Sequence, residues 1–329
     1  MATNDLHPQA TASAQGAAAA ALNRPQAATA AATDLDRKLA YAVTLLPLAG
    51  TVAAFVLWIA GYPPGWPALT MFVLLYLATA LGLEVGFHRF VTHRAFKAGP
   101  IVRLLLIGMG SMAAHGPVIW WAAIHRRHHA TSDTPNDPHS PHQSGGGIGG
   151  LVRGLYHSHV GWLFVGHSTR PPGWQRYVGD LYKDPGLLRL HMQYYVWVLI
   201  GIVLPTAVCG ALTGTWMGAL QGFLWGALVR SFAVSQCIWA LNSFCHVIGG
   251  RYFDTGVNDK SKNSFLLSLF TFGQGWHNNH HAFPNSAYTG LRWWQVDFGG
   301  MFVHLLRVLG LITEVNRPSL DAIARKRVS

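Results

Sequence analysis

Residues 39–87 decide the fold class of this chain, because their sequence, LAYAVTLLPLAGTVAAFVLWIAGYPPGWPALTMFVLLYLATALGLEVGF, contains no lysine or arginine. One membrane crossing takes about 20 apolar residues, so the stretch is long enough for two. Between its halves lies the turn GYPPGWP at positions 61–67, whose prolines and glycines favour a tight reversal and whose aromatic residues suit a headgroup interface. We therefore predict a pair of spanning helices at residues 39–60 and 68–87.

A second pair of spanning helices is predicted at residues 194–212 and 216–241, joined by the uncharged turn TGT. The composition agrees, since 50% of the 329 residues are hydrophobic and 11% are charged, whereas soluble domains carry about 25% charged residues. We predict an all-α integral membrane protein with four transmembrane helices in two hairpins. A cytosolic helical cap would comprise residues 88–193 and 242–318.

The chain is basic, with 24 lysines and arginines against 13 acidic residues. Such a balance suits nucleic acid or an anionic membrane surface, and the apolar segments favour the membrane, so we expect no nucleic acid partner. Both tight turns lack positive charge, which predicts that both termini and the central region face the cytoplasm. We assign residues 1–36 to a disordered alanine-rich tail, 37–318 to the membrane domain and 319–329 to a basic C-terminal tail.

Histidines cluster where the predicted spans end, in the boxes HRFVTH at 88–93, HRRHH at 125–129 and HNNHH at 277–281. Spacings of i, i+3 and i+4 place side chains on one helical face, so the rings of the second and third boxes should each converge. His88 and His93 are five residues apart, which separates their rings by about 140° on a straight α-helix, and we expect them to reach different points of the site or to sit across a helix end. Together with His246 in NSFCH, these histidines exceed what one ion needs and favour a two-metal centre.

The choice of metal is narrowed by what the sequence lacks. It has two glutamates, Glu84 and Glu314, too few for the helical di-iron sites that draw a glutamate from each helix. Its three cysteines form no CxxC pair, so no iron–sulfur cluster is encoded. Nitrogen ligands suit iron, zinc or copper, and nine histidines would fill two closed zinc sites with one left over. Redox iron is therefore favoured.

The chain contains four motifs in the order HRFVTH, HRRHH, NSFCH and HNNHH, with a predicted spanning hairpin between the second and third boxes. This pattern resembles that of the membrane fatty acyl desaturases, especially bacterial stearoyl delta-9 desaturases. The resemblance extends over about residues 39–318. It implies that Asn242 holds a metal-bound water behind the ligands. It also implies two irons, bound by nine histidines: His88, His93, His125, His128, His129, His246, His277, His280 and His281.

The implied reaction removes two hydrogens from a saturated C16–C18 acyl chain, consumes dioxygen and two electrons, and leaves a cis double bond, with delta-9 as the expected position. Trp121 and Trp239 match positions that line the acyl channel in the family. Animal acyl-CoA enzymes carry an Arg-Asp pair that contacts CoA where this chain has Ala123 and Ile124, so CoA, acyl-carrier protein and intact lipid all stay open as the carrier. Gln274 replaces the family's usual glutamate before the third box.

Electrons must come from a separate ferredoxin, rubredoxin or cytochrome-type donor with its reductase, because no cofactor module of that kind is encoded. The basic face that includes Arg126 and Arg170 would attract an acidic donor or anionic headgroups. Loop histidines such as His139 are expected at the surface or behind the ligands. The resemblance implies the inner membrane of a bacterium. Two alternatives are a membrane di-iron hydroxylase of alkanes, fatty acids or carotenoids and, from another class, a metal-binding or transport protein.

Overall fold

The computed structural model describes residues 34–169 and 173–328, so residues 1–33 of the expected tail and Arg170 lie outside the described residues. The first helix of the described residues begins at Asp34, within the stretch 1–36 assigned to the tail. Asp34 and Asp36 lie in the first helical turn, where acidic side chains are favoured by the unpaired backbone N–H groups.

Within the described residues the chain is mostly helical. The helices are, in chain order, α1 (Asp34–Ile59), α2 (Trp66–Thr92), α3 (Pro100–Ser111), α4 (Val118–Thr131), α5 (Gly147–His159), α6 (Gly166–Thr169), α7 (Pro185–Met192), α8 (Tyr194–Thr213), α9 (Trp216–Phe244), α10 (Phe265–Phe270), α11 (His277–Ala282), α12 (Phe298–Val308) and α13 (Leu320–Lys326). Short 3₁₀ turns occur at Gly161–Phe164, Trp174–Tyr177 and Leu181–Lys183. The strands β1 (Lys97–Ala98) and β2 (Ile312–Thr313) pair antiparallel, a small exception to the all-α prediction.

Four of these helices, α1, α2, α8 and α9, are long and apolar enough to cross a membrane, as predicted. The helix α2 continues to Thr92, five residues beyond the expected end of its span, and so carries most of the first histidine box. The helix α9 continues to Phe244. Gly214, in the turn between α8 and α9, has a φ of 63°, a conformation that glycine adopts without strain.

Both α2 and α9 change from α-helix to π-helix along their length, in the segments Gly82–Thr92 and Gly222–Val229. Such segments are uncommon and recur at functional sites. The π segment of α2 packs closely against α3, because a Cβ on Gly82 would lie 2.1 Å from the backbone nitrogen of Gly110. The close contact fixes the position of the first histidine box relative to α3.

The apolar stretch 101–124 is divided between α3 and α4. Gly116 has a φ of 88° and precedes Pro117, so the chain turns sharply before α4 begins. The break lets α4 direct the second box towards the end of α2. Arg230 of α9 is buried nearby and donates to the backbone carbonyls of Met112, Gly201 and Gly226 at 2.8–3.2 Å, which joins α3, α8 and α9.

The main apolar core lies between α2, α3, α4 and α9. It includes the buried side chains of Leu83, Phe87, Val91, Ile107, Ile119, Val234, Ile238 and Leu241. This core holds the ends of separate helices together, and the histidines that follow in sequence are thereby brought to one place.

Candidate metal centre

The nine histidines expected to bind metal meet in one buried region, although four separate segments carry them. The first box lies at the end of α2, the second on α4 and the third on α11, while His246 follows α9. Eight of the nine form two groups in which the ligand atoms lie within 4.8 Å of one another. The first group contains His88, His93, His125 and His280, and the second contains His128, His246, His277 and His281.

The second and third boxes are each divided between the two groups. His125 belongs to the first group and His128 to the second, and in the third box His280 belongs to the first group whereas His277 and His281 belong to the second. The expected convergence is thus on two neighbouring groups, and each of these boxes contributes to both. Because the two groups are adjacent, neighbouring positions of one helix face can supply ligands to both.

The ninth histidine, His129, lies beside the first group. Its Nε2 is 2.8 Å from Nε2 of His280 and 3.0 Å from Nε2 of His125. Its ring is also 4.3 Å from the ring of His281, between centroids, so it stands closest to the boundary between the groups. Each group therefore contains four histidines, and His129 lies between the two groups.

His88 and His93 lie in the same group, and His93 caps the end of the helix, the second of the two arrangements expected for this pair. The backbone N–H of His93 donates to the carbonyl of His88 at 3.1 Å, the five-residue hydrogen bond of a π-helix. A residue five positions on is thus about one turn away, and the two ring centroids are 4.9 Å apart. The separation of about 140° applies to a straight α-helix and not to HRFVTH, because this segment is a π-helix.

Four of the histidines donate Nδ1–H to a buried or half-buried carboxylate. The pairs are His88 with Glu84 at 2.8 Å, His128 with Asp137 at 3.0 Å, His246 with Asp133 at 2.8 Å and His281 with Asp259 at 2.6 Å. Such partners fix the ring orientation and leave Nε2 free as a donor of electrons to a metal. We did not predict these carboxylates, although DTPNDP directly after the second box contains two of them and Glu84 stands one turn before His88.

The most informative contact joins His128 and His281, whose Nε2 atoms face each other at 3.3 Å. Since Nδ1 of each ring donates to an aspartate, each Nε2 presents a lone pair when its ring is neutral, and two lone pairs at this distance repel unless both nitrogens bind one cation or share a proton. His93 adds a buried Nε2 without a hydrogen-bond partner among the described residues. The donor set therefore fits metal ions.

The pKa values of these imidazoles do not all shift in the same direction. Burial alone would lower the pKa of His128, but the charge and the hydrogen bond of Asp137 outweigh burial and raise it. Burial, and after it the charge of neighbouring histidines, lowers the pKa of His93, His277 and His280 well below the usual value. Neutral imidazole is the form that binds metal. Burial alone would raise the pKa of Asp133, but its bond to His246 outweighs that effect and lowers the pKa to about 2, so this carboxylate is charged at neutral pH.

Two tryptophans assigned to the acyl channel occupy different surroundings. The ring of Trp121 stacks on His125, with centroids 4.9 Å apart and planes 14° from parallel. The ring of Trp239 is buried in α9, with His115 at 6.0 Å and His159 at 5.9 Å. Trp121 thus touches the first histidine group, whereas Trp239 lies among histidines outside both groups.

Asn242 is half-buried in the last turn of α9, four residues before His246. Gln274, which replaces the expected glutamate, is buried, and its Nε2 has no hydrogen-bond partner among the described residues. His139 is buried with its ring centroid 4.5 Å from that of His128, so of the two expected positions it takes the one behind the ligands. Arg126 donates to Asp180 at 2.6 Å and to the carbonyl of Thr92 at 2.8 Å, so its guanidinium forms an ion pair within the chain.

Comparison with known proteins places this geometry in context. The family described as "Fatty acid desaturase" matches residues 64–298. The hex-5-enoyl-[acyl-carrier protein] acetylenase of Moorena producens (strain JHB) is 40% identical over 288 residues, covering 87% of this chain and 88% of that protein. The sn-1 stearoyl-lipid 9-desaturase of Anabaena variabilis is 37% identical over 251 residues, covering 76% and 84%. The protein of the same name from Synechocystis sp. (strain ATCC 27184 / PCC 6803 / Kazusa) is 33% identical over 262 residues, covering 79% and 76%.

Proposed function

Since the chain belongs to the fatty acid desaturase family, whose members are oxidoreductases that act on acyl chains, we propose that it introduces a cis double bond at the delta-9 position of a saturated C16–C18 chain. The observation that carries the proposal is the facing pair of Nε2 atoms in His128 and His281, each backed by an aspartate. It is best explained by a bound cation, and a second histidine group beside it suits a second one. We propose iron at both positions.

The nine histidines would hold the two irons, and Asn242 would hold a water bound to one of them. When bound, iron supplies the oxidising power needed to break unactivated C–H bonds with dioxygen. The protein keeps the Nε2 atoms aimed at fixed points through the carboxylates at Nδ1, and burial excludes water from the centre. Trp121 and Trp239 would contact the acyl chain and set its depth.

The four long helices would form two membrane hairpins, α1 with α2 and α8 with α9, with the histidine centre in a cap on the cytoplasmic side of a bacterial inner membrane. Both connections are short, at residues 60–65 and 214–215, and neither contains lysine or arginine. Positively charged segments remain on the cytoplasmic side, which supports this orientation. A separate electron donor would approach the same side.

We further propose that the acyl chain is carried by an intact membrane lipid. Two of the relatives are named stearoyl-lipid desaturases, and the CoA-contacting pair of the animal enzymes is replaced here by Ala123 and Ile124. Both residues are buried apolar side chains in α4 and offer no charge to a CoA phosphate. Lipid analysis by glycerol position separates this carrier from acyl-CoA or acyl-carrier protein.

A second candidate is the formation of a triple bond from an existing double bond. It is favoured by the relative named as an acetylenase, which matches 87% of this chain at 40% identity. Both reactions remove two hydrogens from adjacent carbons, so the same metal centre would serve either. The identity of the product distinguishes them.

The test is expression of the full chain in a host that lacks a desaturase and has a compatible electron donor, followed by mass spectrometry of the lipids with location of the new bonds. A double bond at carbon 9 of stearoyl or palmitoyl chains supports the proposal. A triple bond supports the second candidate, and hydroxylated chains would indicate a hydroxylase. An unchanged lipid profile, with the protein present in membranes and loaded with iron, contradicts the proposal.

A further inference from the structure

Carboxylates are distributed unequally over the two histidine groups. In the second group, three of the four histidines donate Nδ1–H to an aspartate: His128 to Asp137, His246 to Asp133 and His281 to Asp259. In the first group, the carboxylate contact found within residues 34–169 and 173–328 is that of Glu84 with His88. The two centres therefore have different electrostatic surroundings.

Each aspartate of the second group is itself held in place by backbone N–H groups. Asp137 accepts from the N–H of Asp133 at 2.8 Å, and Asp133 accepts from the N–H of Lys260 at 2.9 Å. Asp259 accepts from the N–H of Ser261 at 2.7 Å. Because the carboxylates are fixed, the imidazoles that they contact are fixed as well.

The negative charge of Glu84 in the first group is partly offset. The same carboxylate accepts from Nε of Arg89 at 2.8 Å, so a buried guanidinium stands beside it. In the second group, the charge of Arg127 acts on Asp137. Asp259 makes its closest polar contacts with His281 and with Ser261, neither of which is a permanent cation. The excess of negative charge is thus clearest at Asp259.

We propose that the two ions are bound unequally, with the tighter site formed by His128, His246, His277 and His281. The aspartates Asp133, Asp137 and Asp259 are then positioning residues that make this site the tighter one. A carboxylate at Nδ1 orients the ring and raises its basicity, and loss of such a partner lowers metal affinity by about 10–100-fold. The inference rests on the proposed di-iron function, which it deepens by giving the order in which the ions bind.

The test is anaerobic titration of the purified, metal-depleted full chain with Fe²⁺ in the presence of a competing chelator. Two binding steps should differ in affinity by at least about 10-fold, the lower end of the effect of one carboxylate partner. Asp259→Asn keeps an oxygen acceptor but removes the charge, and it should weaken the tighter step by about 10–100-fold. Glu84→Gln should weaken the other step. Asp321→Asn, at an exposed position of α13, should change neither.

Mössbauer spectra at one equivalent of ⁵⁷Fe²⁺ should show one iron environment, whereas an equal mixture of two environments would overturn the inference. The inference would also be overturned if Asp259→Asn weakened the lower-affinity step. If the Asp259→Asn variant does not fold, Asp133→Asn takes its place in the test. Lipids of cells that express the wild-type chain report on the reaction independently. If the lipids contain new double bonds but the two iron-binding steps have equal affinity, only the unequal binding is refuted. If the two steps differ in affinity but no new double bonds form, only the proposed desaturation is refuted.

Discussion

Arg89 and Asp297, 208 positions apart, form a buried ion pair in which Nη2 of the arginine lies 2.7 Å from Oδ1 of the aspartate. The same guanidinium bonds Glu84 at 2.8 Å and the carbonyl of Ala287 at 2.7 Å. Arg89 stands in the first histidine box, and Asp297 accepts the N–H of Gly300 at the start of α12. The pair therefore ties the end of α2 to the segment that follows the third box.

Replacing Arg89 by glutamine should destabilise the protein strongly, because two buried carboxylates would lose their cation. Removing one partner of a buried pair costs about 3–5 kcal/mol. The expected result is a clear fall in the Tm of the detergent-solubilised protein. Arg37→Gln is the matched control, since its pair with Asp34 lies at the surface, where such pairs contribute about 0–1 kcal/mol. An equal Tm for the two variants would contradict the role of Arg89.

The same ion pair predicts a pH dependence through Asp297. Burial alone would raise its pKa, but the charge and hydrogen bonds of Arg89 outweigh burial and lower the pKa below 3.8. A lowered pKa in the folded state means that the stabilisation is complete above about pH 4 and is lost as the pH falls through the folded value. The difference in Tm between wild type and Asp297→Asn should be largest at neutral pH and should shrink in acid. A difference independent of pH would show that charge is not its origin.

Metal binding predicts that His281→Ala abolishes desaturation and lowers the iron content. The substitution removes one nitrogen of the facing pair and leaves Asp259 without its buried partner. Activity should fall by more than about 100-fold, beyond the loss caused by removing a supporting carboxylate. His304→Ala, at an exposed position of α12, should retain both iron and activity. Iron per chain and membrane-bound protein are measured together, and full activity in His281→Ala would exclude this residue as a ligand.

The sequence predicted those parts of the structure that follow from local patterns. The four long helices follow from apolar length, and the histidine boxes follow from residue type and position. The π-helix that brings His88 and His93 together was not predictable, because a spacing of five residues does not by itself indicate a π-helix and the α-helical period was used instead. The contact of Asp259 with His281 depends on how the segment before α10 packs against α11, and no periodicity in either segment indicates it.

The two tryptophans should respond differently to truncation. Trp121 stacks on His125 and Trp239 does not touch either histidine group, so Trp121→Ala should lower iron content and activity together. Trp239→Ala should keep its iron while shifting the double-bond position or the preferred chain length. Products are located by mass spectrometry and iron is measured per chain. An unchanged product pattern in Trp239→Ala would contradict its place beside the acyl chain.

The close contact between α2 and α3 predicts that Gly82→Ala affects both stability and metal. A Cβ at this position would lie 2.1 Å from the backbone nitrogen of Gly110 and 2.5 Å from the carbonyl carbon of Met109. Backbone atoms cannot rotate away, so the helices must separate, and overpacking of this kind typically costs about 1–3 kcal/mol.

Gly82 is also the first residue of the π segment that brings His88 close to His93. Separation of α2 from α3 should therefore displace the first box and reduce iron binding in the first group. Gly179→Ala, where the nearest atom to an added Cβ is 4.0 Å away, should leave the Tm and the iron content unchanged. A lower Tm with full iron in Gly82→Ala would mean that the box keeps its position independently of α3. Loss of iron from the first group alone would show that helix packing sets the position of its ligands.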